Sequence, residues 1–291
     1  MARCLVTGHK GYIGSKLYKK LQELGHEVIG IDLSEDNSKD ILKVLKEDDD
    51  GGFHPYYFNF KPEYVFHMAC WPRVGYSVEH PVETTENNVM AGSIVLNFAK
   101  KVKSVKRVIY SSSSSIVGNG DGPESPYALQ KYFTELETIL YSKLYNVDTV
   151  CLRYFNVYSK DQKVNGPYST AVCNWMHAVR ENINPYITGD GEQRRDMINV
   201  EDVIMANIFC MNYSEPLNGS VFDIGTGTNV SLNEIRDIVL ECHPDVTFDY
   251  VAPRPGDVME SCADIEPLKK LGWSAQVSIV DGISECFRGI K

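Results

Sequence analysis

The stretch TGHKGYIG, residues 7–14, decides the fold of the first half of the chain. The run before it, Arg3–Thr7 (RCLVT), is apolar and predicts a buried strand, and residues 15–24 follow a helical pattern that ends at Gly25. Glycines at the spacing GxxGxxG suit this junction, because the first permits a tight turn, the second lets a pyrophosphate approach the backbone, and the third lets helix and strand pack closely. The stretch therefore predicts a strand–turn–helix unit of the kind that binds dinucleotides.

Short apolar runs and helical stretches alternate beyond this unit. The alternation is typical of a parallel sheet that is covered by helices on both faces. We therefore predict an α/β protein with a doubly wound parallel sheet and a second, smaller α/β lobe. The further predicted strands are residues 27–32, 64–68, 107–111 and 149–153, and the predicted helices are residues 84–101 and 127–145.

Turn-forming residues punctuate shorter elements after Asn156. A predicted helix at residues 200–211 and a predicted strand at residues 221–224 have the pattern of the first domain, so the chain is expected to return to it. The predicted parts are a cofactor-binding domain at residues 1–155 with return segments at about 197–228, and a substrate-binding lobe at residues 156–196 and 229–291.

Composition limits the partners of the chain. Of 291 residues, 29 are basic and 39 acidic, and the net charge of −10 disfavours a general role on nucleic acid or on an anionic membrane. The sequence has no apolar run of about 18 residues and begins without a signal-like apolar segment. Eight scattered cysteines without a CxxC pair indicate reduced thiols. We expect a cytoplasmic protein without a metal site, in which local arginines bind any anionic substrate.

A carboxylate at the end of the second predicted strand indicates the cofactor. Asp32 lies eighteen residues after Gly14, where its side chain can accept hydrogen bonds from both hydroxyls of a ribose. Because Asp32 would repel a 2′-phosphate, NAD is favoured over NADP. Asp40 and Ile41 either flank the adenine or form a simple helix cap, and the sequence leaves both alternatives open.

Two side chains at helical spacing indicate acid–base chemistry. Tyr127 and Lys131 form a YxxxK pair, and the i, i+4 spacing places both on one face of the predicted helix. An ammonium group near the phenol is expected to lower the pKa of Tyr127 and make it a usable base. The serine run at residues 111–115 follows a predicted strand, where a serine can bind the same substrate hydroxyl as the tyrosine, although the run also has the look of low complexity.

Taken together, these motifs resemble the extended short-chain dehydrogenase/reductases, and the second half of the chain resembles the nucleotide-sugar enzymes among them. The motifs occur in the family's order along nearly the whole chain. They are the glycine turn, Asp32, residues 66–69 (FHMA, family form HxAA), the serine strand, YxxxK, residues 152–156 (LRYFN), residues 189–196 (GDGEQRRD, family form GDGxQxRD) and residues 254–257 (RPGD, family form RxGD).

The resemblance implies a role for each matching residue. Tyr127 would be the catalytic acid and base, Lys131 its electrostatic partner and a ribose contact, and Ser113 the residue that orients the substrate hydroxyl. The implied substrate contacts, which hold the diphosphate, ribose and sugar, are Ser113, Asn156, Arg195, Arg254, Asp257 and Ser261. The implied contacts to the NAD cofactor are Gly8, Gly11, Tyr12, Ile13, Gly14, Asp32, Asp40, Ile41, Met68, Ala69, Cys70, Ser111, Tyr127, Lys131 and Tyr154.

The residues after Ser113 narrow the reaction. Aligned on Gly118, the related dehydratases carry two carboxylates and the decarboxylases a glutamate, whereas this chain has Ser114 and Ser115, and a hydroxyl cannot replace such a base. The remaining reaction is epimerisation at C4 of a nucleotide-activated hexose, in which C4 is oxidised to a ketone and then reduced from the other face. A keto-sugar reductase, dehydratase or decarboxylase, and a non-catalytic protein that binds NAD or a sugar nucleotide, remain alternatives.

Four details bear on substrate and assembly. Ser261 aligns with a position that limits pocket size, and its small side chain would admit a 2-acetamido group, so UDP-GlcNAc/GalNAc is expected beside UDP-Glc/Gal. Arg73 is either a sugar contact or a surface residue. Gln130 departs from the family, which commonly has serine in YxxSK. The resemblance also implies a homodimer through the helices near residues 84–101 and 127–145.

Overall fold

Strands and helices alternate along most of the chain. The computed structural model describes residues 1–33, 40–72, 74–118, 120–163, 170–253 and 258–290. Among these residues, no helix combines the length and the apolar character that crossing a lipid bilayer requires. The strands are β1 (Arg3–Thr7), β2 (Glu27–Ile31), β3 (Tyr64–His67), β4 (Arg107–Ser113), β5 (Thr149–Tyr154), β6 (Asn156–Tyr158), β7 (Tyr186–Thr188), β8 (Arg194–Asn199), β9 (Ser220–Ile224), β10 (Asn229–Ser231), β11 (Asp249–Val251) and β12 (Glu260–Ser261). The helices are α1 (Tyr12–Glu23), α2 (Ile41–Val44), α3 (Pro55–Phe60), α4 (Val74–Glu79), α5 (Pro81–Thr85), α6 (Ala91–Lys101), α7 (Pro126–Tyr145), α8 (Ala171–Arg180), α9 (Val200–Asn212), α10 (Leu232–Cys242), α11 (Glu266–Lys270) and α12 (Ile279–Phe287).

Six strands form one mostly parallel sheet in the order β2-β1-β3-β4-β5-β9. β1 pairs in parallel with β2 on one side and with β3 on the other, and β3 pairs in parallel with β4. Because the chain leaves β1 for β2 and then crosses to β3, the carboxyl ends of β1 and β3 lie at a topological switch point, where ligands bind in such sheets. The predicted doubly wound parallel sheet is confirmed.

The sheet belongs to the first of two compact units. This unit comprises residues Met1–Ile116, Pro123–Arg153 and Ile204–Phe222. Its core contains fully buried side chains of the central strands, Leu5 and Val65, together with Val95 and Phe98 of α6. β1 is buried on both faces, as its unbroken apolar sequence predicts for a central strand of a parallel sheet.

The prediction of one regular helix at residues 84–101 is wrong. The chain forms α5, then a π-helical turn at Glu86–Met90, then α6. Pro81 sets the start of α5, because its fixed φ suits the first helical turn. The buried Asn88 lies inside the π-helical turn, and its side chain bonds outside the helix. α1 begins at Tyr12, three residues before its predicted start.

The second compact unit has a smaller sheet of its own. It comprises residues Val117–Gly122, Tyr154–Val203 and Asp223–Lys291. β10 pairs with β8 in antiparallel orientation, whereas β6 and β12 pair with β8 in parallel. Trp175, Met176, Ile235 and Phe287 are buried in its apolar core, on α8, α10 and α12. The predicted assignment of cofactor binding to one part of the chain and substrate binding to the other stays a prediction.

A buried arginine holds the returning segment on the first unit. Arg107 of β4 is 5% exposed, and its guanidinium donates to Asp148 Oδ2 at 2.6 Å. The same group donates to the carbonyl oxygens of Cys210, Tyr213 (2.9 Å) and Glu215 (2.7 Å), at and just beyond the carboxyl end of α9. Since the last carbonyls of a helix have no partner within it, one arginine satisfies both the helix end and the partly buried Asp148 carboxylate.

We expect Arg107→Ala to lower the free energy of unfolding by about 3 kcal/mol, because it removes the donor of Asp148 Oδ2 and of three carbonyl oxygens. Urea unfolding followed by circular dichroism measures the effect. Lys106→Ala is the control, since Lys106 pairs with Glu63 at 2.8 Å on the surface and such pairs contribute about 0–1 kcal/mol. Equal effects of the two substitutions would contradict the role of Arg107.

Candidate active site

The glycine turn after β1 is closed too tightly for any other residue. Gly8 has a φ of +72°, and a Cβ on it would lie 2.7 Å from the Ala69 backbone nitrogen. A Cβ on Gly14 would lie 2.1 Å from the Gly8 carbonyl oxygen. Gly11 is the N-cap of α1, so no side chain covers the helix end that Tyr12 begins. The turn therefore offers bare backbone and the positive end of a twelve-residue helix, an arrangement that binds phosphate groups.

Asp32 lies beside this turn, directly after β2. Its Oδ2 accepts the backbone N–H of Lys10 at 2.8 Å, which fixes the carboxylate next to the glycine turn. The predicted strand through Asp32 is one residue too long, because β2 ends at Ile31, whose carbonyl accepts the Gly8 N–H at 2.7 Å. A carboxylate held here fits the ribose of a dinucleotide bound at the turn.

The two residues expected near an adenine have other contacts. Asp40 caps α2, since its side chain accepts the Leu42 N–H at 2.9 Å. Ile41 is 7% exposed and packs into the core of the first unit. The helix-cap alternative for Asp40 therefore matches the geometry, and a contact of either residue with adenine stays a prediction.

The end of β3 is braced against β1. The Thr7 hydroxyl and His67 Nδ1 are 2.8 Å apart, and the Ala69 N–H donates to the same hydroxyl at 3.2 Å. The loop that carries Met68, Ala69 and Cys70 therefore starts at a fixed place beside Gly8. His67 is 2% exposed, and burial, with a smaller effect of the Lys131 charge, lowers its pKa to about 3.

We expect the buried His67 to make the fold less stable in acid. Unfolded histidine binds a proton below a pKa of about 6.5, whereas the folded group does not until pH approaches 3, so the unfolded state gains the proton. Between pH 7 and pH 5, the free energy of unfolding of the wild type should therefore fall by about 2 kcal/mol more than that of His67→Gln. Urea unfolding at both pH values tests this. The control is His177→Gln, at an exposed histidine, which should lose as much stability in acid as the wild type does. An equally large loss of stability in His67→Gln would contradict the prediction.

The end of β4 meets α7 through a buried lysine. Lys131 is 4% exposed, and its ammonium donates to the Ser111 carbonyl oxygen at 2.6 Å. The Ser111 hydroxyl donates to the His67 carbonyl oxygen at 2.9 Å, which links β4 to β3. Burial raises the pKa of the Cys70 thiol, and the nearby Lys131 ammonium lowers it by less. The YxxxK helix is therefore joined to the ends of both strands.

Tyr127 lies at the first turn of α7 and shares a hydrogen bond with the Ser113 side chain. Burial raises the pKa of Tyr127 well above its usual value, Cys70 adds to this, and the Ser113 contact lowers it. The expectation that Lys131 lowers the pKa of Tyr127 is wrong for this structure, because the ammonium is bonded to Ser111 while desolvation disfavours the phenolate. Ser113 also accepts from the Ser115 N–H (3.2 Å) and the Ser115 hydroxyl (2.9 Å).

A charged cluster below this site was not predicted from the sequence. The Ser112 hydroxyl donates to Glu135 Oε2 at 2.6 Å, and Arg153 donates to both oxygens of Glu135 at 2.6 and 3.0 Å. Glu135 is 1% exposed. Its position four residues after Lys131 on the buried face of α7 is the signal that could have revealed it. The serine run is therefore no low-complexity tract, since Ser111, Ser112 and Ser113 each have a separate partner.

Three of the predicted substrate residues, Asn156, Arg195 and Ser261, lie on one small sheet of the second unit. Arg195 of β8 and Ser261 of β12 are register partners. The Asn156 amide donates to the Asp196 carbonyl oxygen at 2.9 Å. Among the described residues, the buried Ser261 hydroxyl has no hydrogen-bond partner. Tyr154, the last residue of β5, is buried.

Asp196 organises this sheet, and the only sign of it in the sequence is the GDGxQxRD pattern. It is fully buried, and its carboxylate accepts backbone N–H groups of Thr226 (2.8 Å), Gly227 (2.9 Å) and Ala263 (3.1 Å). The segment after Ser261 is thus tied to β8. Three residues that the sequence analysis considered lie outside the described residues, namely Arg73, Arg254 and Asp257.

The site combines a glycine turn at a switch point, an acidic residue beside the turn, and a Ser–Tyr–Lys group at the ends of the next strands. This combination defines a nucleotide-dependent oxidoreductase-type site. The chain belongs to the NAD dependent epimerase/dehydratase family, whose sequence profile matches residues 4–225. NAD is the cofactor of this family. The residues at the turn fit NAD, because the glycines leave the backbone uncovered at a place where a Cβ would overlap other main-chain atoms.

Proteins similar to the chain include UDP-sugar epimerases. It is 31% identical to the UDP-glucose 4-epimerase of Mycolicibacterium smegmatis, over 97% of this chain and 96% of that one. The UDP-glucose 4-epimerase of Thermotoga maritima, solved with UDP-glucose, is 30% identical with a TM-score of 0.86, covering 98% of this chain and 97% of that one. The UDP-N-acetylglucosamine 4-epimerase of Methanobrevibacter ruminantium, in complex with UDP-N-acetylmuramic acid, is 29% identical with a TM-score of 0.85, covering 99% and 97%.

Proposed function

We propose that the chain epimerises a nucleotide-activated hexose at C4 through a 4-keto intermediate. The observation that carries the proposal is the group formed by Ser113, Tyr127 and Lys131, in which the two neighbouring positions, Ser114 and Ser115, hold hydroxyls. Water loss or decarboxylation needs a carboxylate base close to the sugar. A site that offers one phenol as its acid–base group suits a reaction that moves one proton off the C4 oxygen and back.

NAD, when bound, would supply a hydride acceptor for C4 of the sugar and, after reduction, a hydride donor to the same carbon. The chain would hold it by the glycine turn and by Asp32, which is already oriented by the Lys10 N–H. An ammonium group has three donors, and Lys131 uses one of them for the Ser111 carbonyl oxygen. A second donor would bind a ribose hydroxyl of the cofactor.

Tyr127 would handle the proton of the C4 hydroxyl. As the phenolate it accepts this proton while C4 becomes a ketone, and as the phenol it gives the proton back when C4 is reduced. Ser113, bonded to Tyr127, would orient the same oxygen. Because burial raises the pKa of Tyr127, the phenol form dominates at neutral pH, and the proton-accepting step is the one that needs help from the bound ligands.

UDP-activated hexoses are the proposed substrates, as in the relatives named above. Arg195 and Arg254 would bind the diphosphate, with Asn156 and Asp257 placing diphosphate and ribose, because arginine suits bidentate contacts with phosphate. Ser261, small and with its hydroxyl unpaired among the described residues, would leave room for a 2-acetamido group. We therefore include UDP-GlcNAc and UDP-GalNAc with UDP-Glc and UDP-Gal.

The proposal is tested by incubating the purified protein separately with each of these four UDP-sugars and following the products by NMR. Interconversion of C4 epimers without net change in reduced cofactor is the expected result. Conversion that depends strictly on added NADPH and consumes it would overturn the epimerase proposal in favour of a keto-sugar reductase.

We also propose that the chain forms a homodimer through α7. Apolar side chains on its outer face lie at successive intervals of three or four residues and are 48–61% exposed, a stripe that a second copy can cover. They are Leu129, Phe133, Leu136, Leu140 and Leu144.

Leu136→Glu is expected to shift the protein from dimer to monomer, because it places a charge in the middle of the stripe. Light scattering after size exclusion measures the mass. Leu24→Glu is the matched control, since Leu24 is equally exposed (49%) but lies outside α7. A wild-type protein that is monomeric, or a Leu136→Glu protein that remains dimeric, would refute the proposed interface.

A further inference from the structure

Two buried amides connect the catalytic helix to the helices before it. Gln130, between Tyr127 and Lys131, is 5% exposed, and Asn88 in the π-helical turn is 4% exposed. The Asn88 amide donates to Gln130 Oε1 at 2.7 Å. The Gln130 amide in turn donates to the hydroxyls of Thr84 (2.9 Å) and Thr85 (3.2 Å). The residue that departs from the family's YxxSK pattern is therefore engaged at both of its polar atoms.

Asn88 also binds the backbone of the loop that follows β3. Its Oδ1 accepts the Trp71 N–H at 2.8 Å, and its Nδ2 donates to the Trp71 carbonyl oxygen at 3.4 Å. One side chain thus satisfies both backbone groups of a loop residue, much as a neighbouring strand would. Trp71 follows Cys70, whose thiol lies near the Lys131 ammonium. A π-helical turn is a rare feature that is often found at functional sites.

The loop and the catalytic helix are joined a second time near Tyr127. The Tyr127 N–H donates to the Ser77 hydroxyl at 3.0 Å, and that hydroxyl donates to the Val74 carbonyl oxygen at 2.6 Å. Tyr76 of the same short helix stacks on Trp71, with ring centroids 5.0 Å apart. Residues 70–72 are consequently fixed to α7 by Asn88 and Gln130, and residues 74–77 are fixed to α7 by Ser77.

We propose that Gln130 and Asn88 are positioning residues, which hold the Cys70–Trp71 backbone at a fixed distance from Tyr127 and Lys131 during the reaction. The inference rests on the proposed function for its kinetic consequence, but the tie itself is a property of this chain. A serine at position 130 would be too short to reach Asn88, which the glutamine side chain reaches. The contact between the two amides therefore depends on the glutamine that this chain has in place of the family's common serine. Loss of the tie would let the loop move while the core of the unit stays intact.

The test compares Gln130→Met with Gln130→Glu. Methionine keeps the length and bulk of the side chain but has no hydrogen bonds to give, whereas glutamate keeps an oxygen for the Asn88 amide. We expect kcat to fall about tenfold in Gln130→Met with KM changed less than threefold, because misplaced reacting groups lower the rate more than binding. Gln130→Glu should stay within threefold of the wild-type kcat. Equal loss in both variants would overturn the proposal.

A second measurement does not depend on activity. Trp71 is partly exposed, whereas Trp175 and Trp273 are 2% and 8% exposed, so quenching of tryptophan fluorescence by acrylamide reports mainly on the loop. We expect a quenching constant at least twice the wild-type value in Gln130→Met, and no such rise when Trp71 is also replaced by phenylalanine. Unchanged quenching in Gln130→Met would overturn the proposal even if activity falls.

Thr138→Val is the control for a merely structural effect, since Thr138 is equally buried on α7 and bonds to the Thr134 carbonyl oxygen within the helix. It should change neither kcat nor quenching. If Gln130→Met does not fold, Asn88→Ala replaces it, with the same two changes expected. A wild-type protein that converts none of the sugars would refute the proposed function, and the quenching comparison would still decide the role of Gln130.

Discussion

Replacing Tyr127 with phenylalanine is expected to lower kcat about 1,000-fold, within the range of about 100- to 10,000-fold that a positioned acid–base group contributes. The substitution removes one oxygen from a buried ring and leaves the packing of α7 in place. The backbone bond from the Tyr127 N–H to Ser77 also remains. Because the phenol would both accept and return the proton of the C4 oxygen, its loss acts on oxidation and reduction alike, and KM should change little.

The measurement is the rate of C4 interconversion by NMR, together with the amount of NAD that the purified protein carries. Tyr132→Phe is the matched control on the same helix, at a side chain that is 36% exposed, and it should retain wild-type activity. A Tyr127→Phe protein that keeps more than a tenth of the wild-type rate would contradict the acid–base role. A variant that loses its NAD would instead place Tyr127 among the cofactor contacts.

Much of the first unit was predictable because its signals are local. The glycine spacing indicates places where two stretches of backbone pass close to each other. The structure agrees, since a Cβ on Gly8 or Gly14 would overlap main-chain atoms. The unbroken apolar sequence of β1 predicts a central parallel strand for the same reason. The i, i+4 spacing of Tyr127 and Lys131 likewise follows from the helix alone.

Features that depend on distant partners were not predictable. Arg107 is a charged residue in a strand, and nothing nearby in the sequence shows that the end of α9, about one hundred residues later, supplies its acceptors. The π-helical turn around Asn88 interrupts a pattern that reads as one helix, because the side chain that stabilises it bonds to Trp71 in another element. The raised pKa of Tyr127 depends on burial, which spacing does not report.

The ion pair of Arg153 and Glu135 illustrates the same point with the largest expected effect on stability. We expect Arg153→Met to lower the free energy of unfolding by about 3–5 kcal/mol, because it strands a carboxylate that is 1% exposed. Among the described residues, Ser112 would be the one side-chain donor left to Glu135, and a single hydroxyl offsets little of the cost of burying a charge. Urea unfolding of the variant and the wild type measures this loss.

A double substitution separates the cost of the stranded charge from the loss of packing. In Glu135→Gln/Arg153→Met the buried group is neutral and can still accept from Ser112, so most of the stability should return, to within about 1–2 kcal/mol of the wild type. A double variant as unstable as Arg153→Met would show that packing, and not charge, explains the effect. Because Ser112 lies between Ser111, which binds Lys131, and Ser113, which binds Tyr127, recovery of stability should bring recovery of activity with it. The charge pair would then act on the reaction through the strand that it holds.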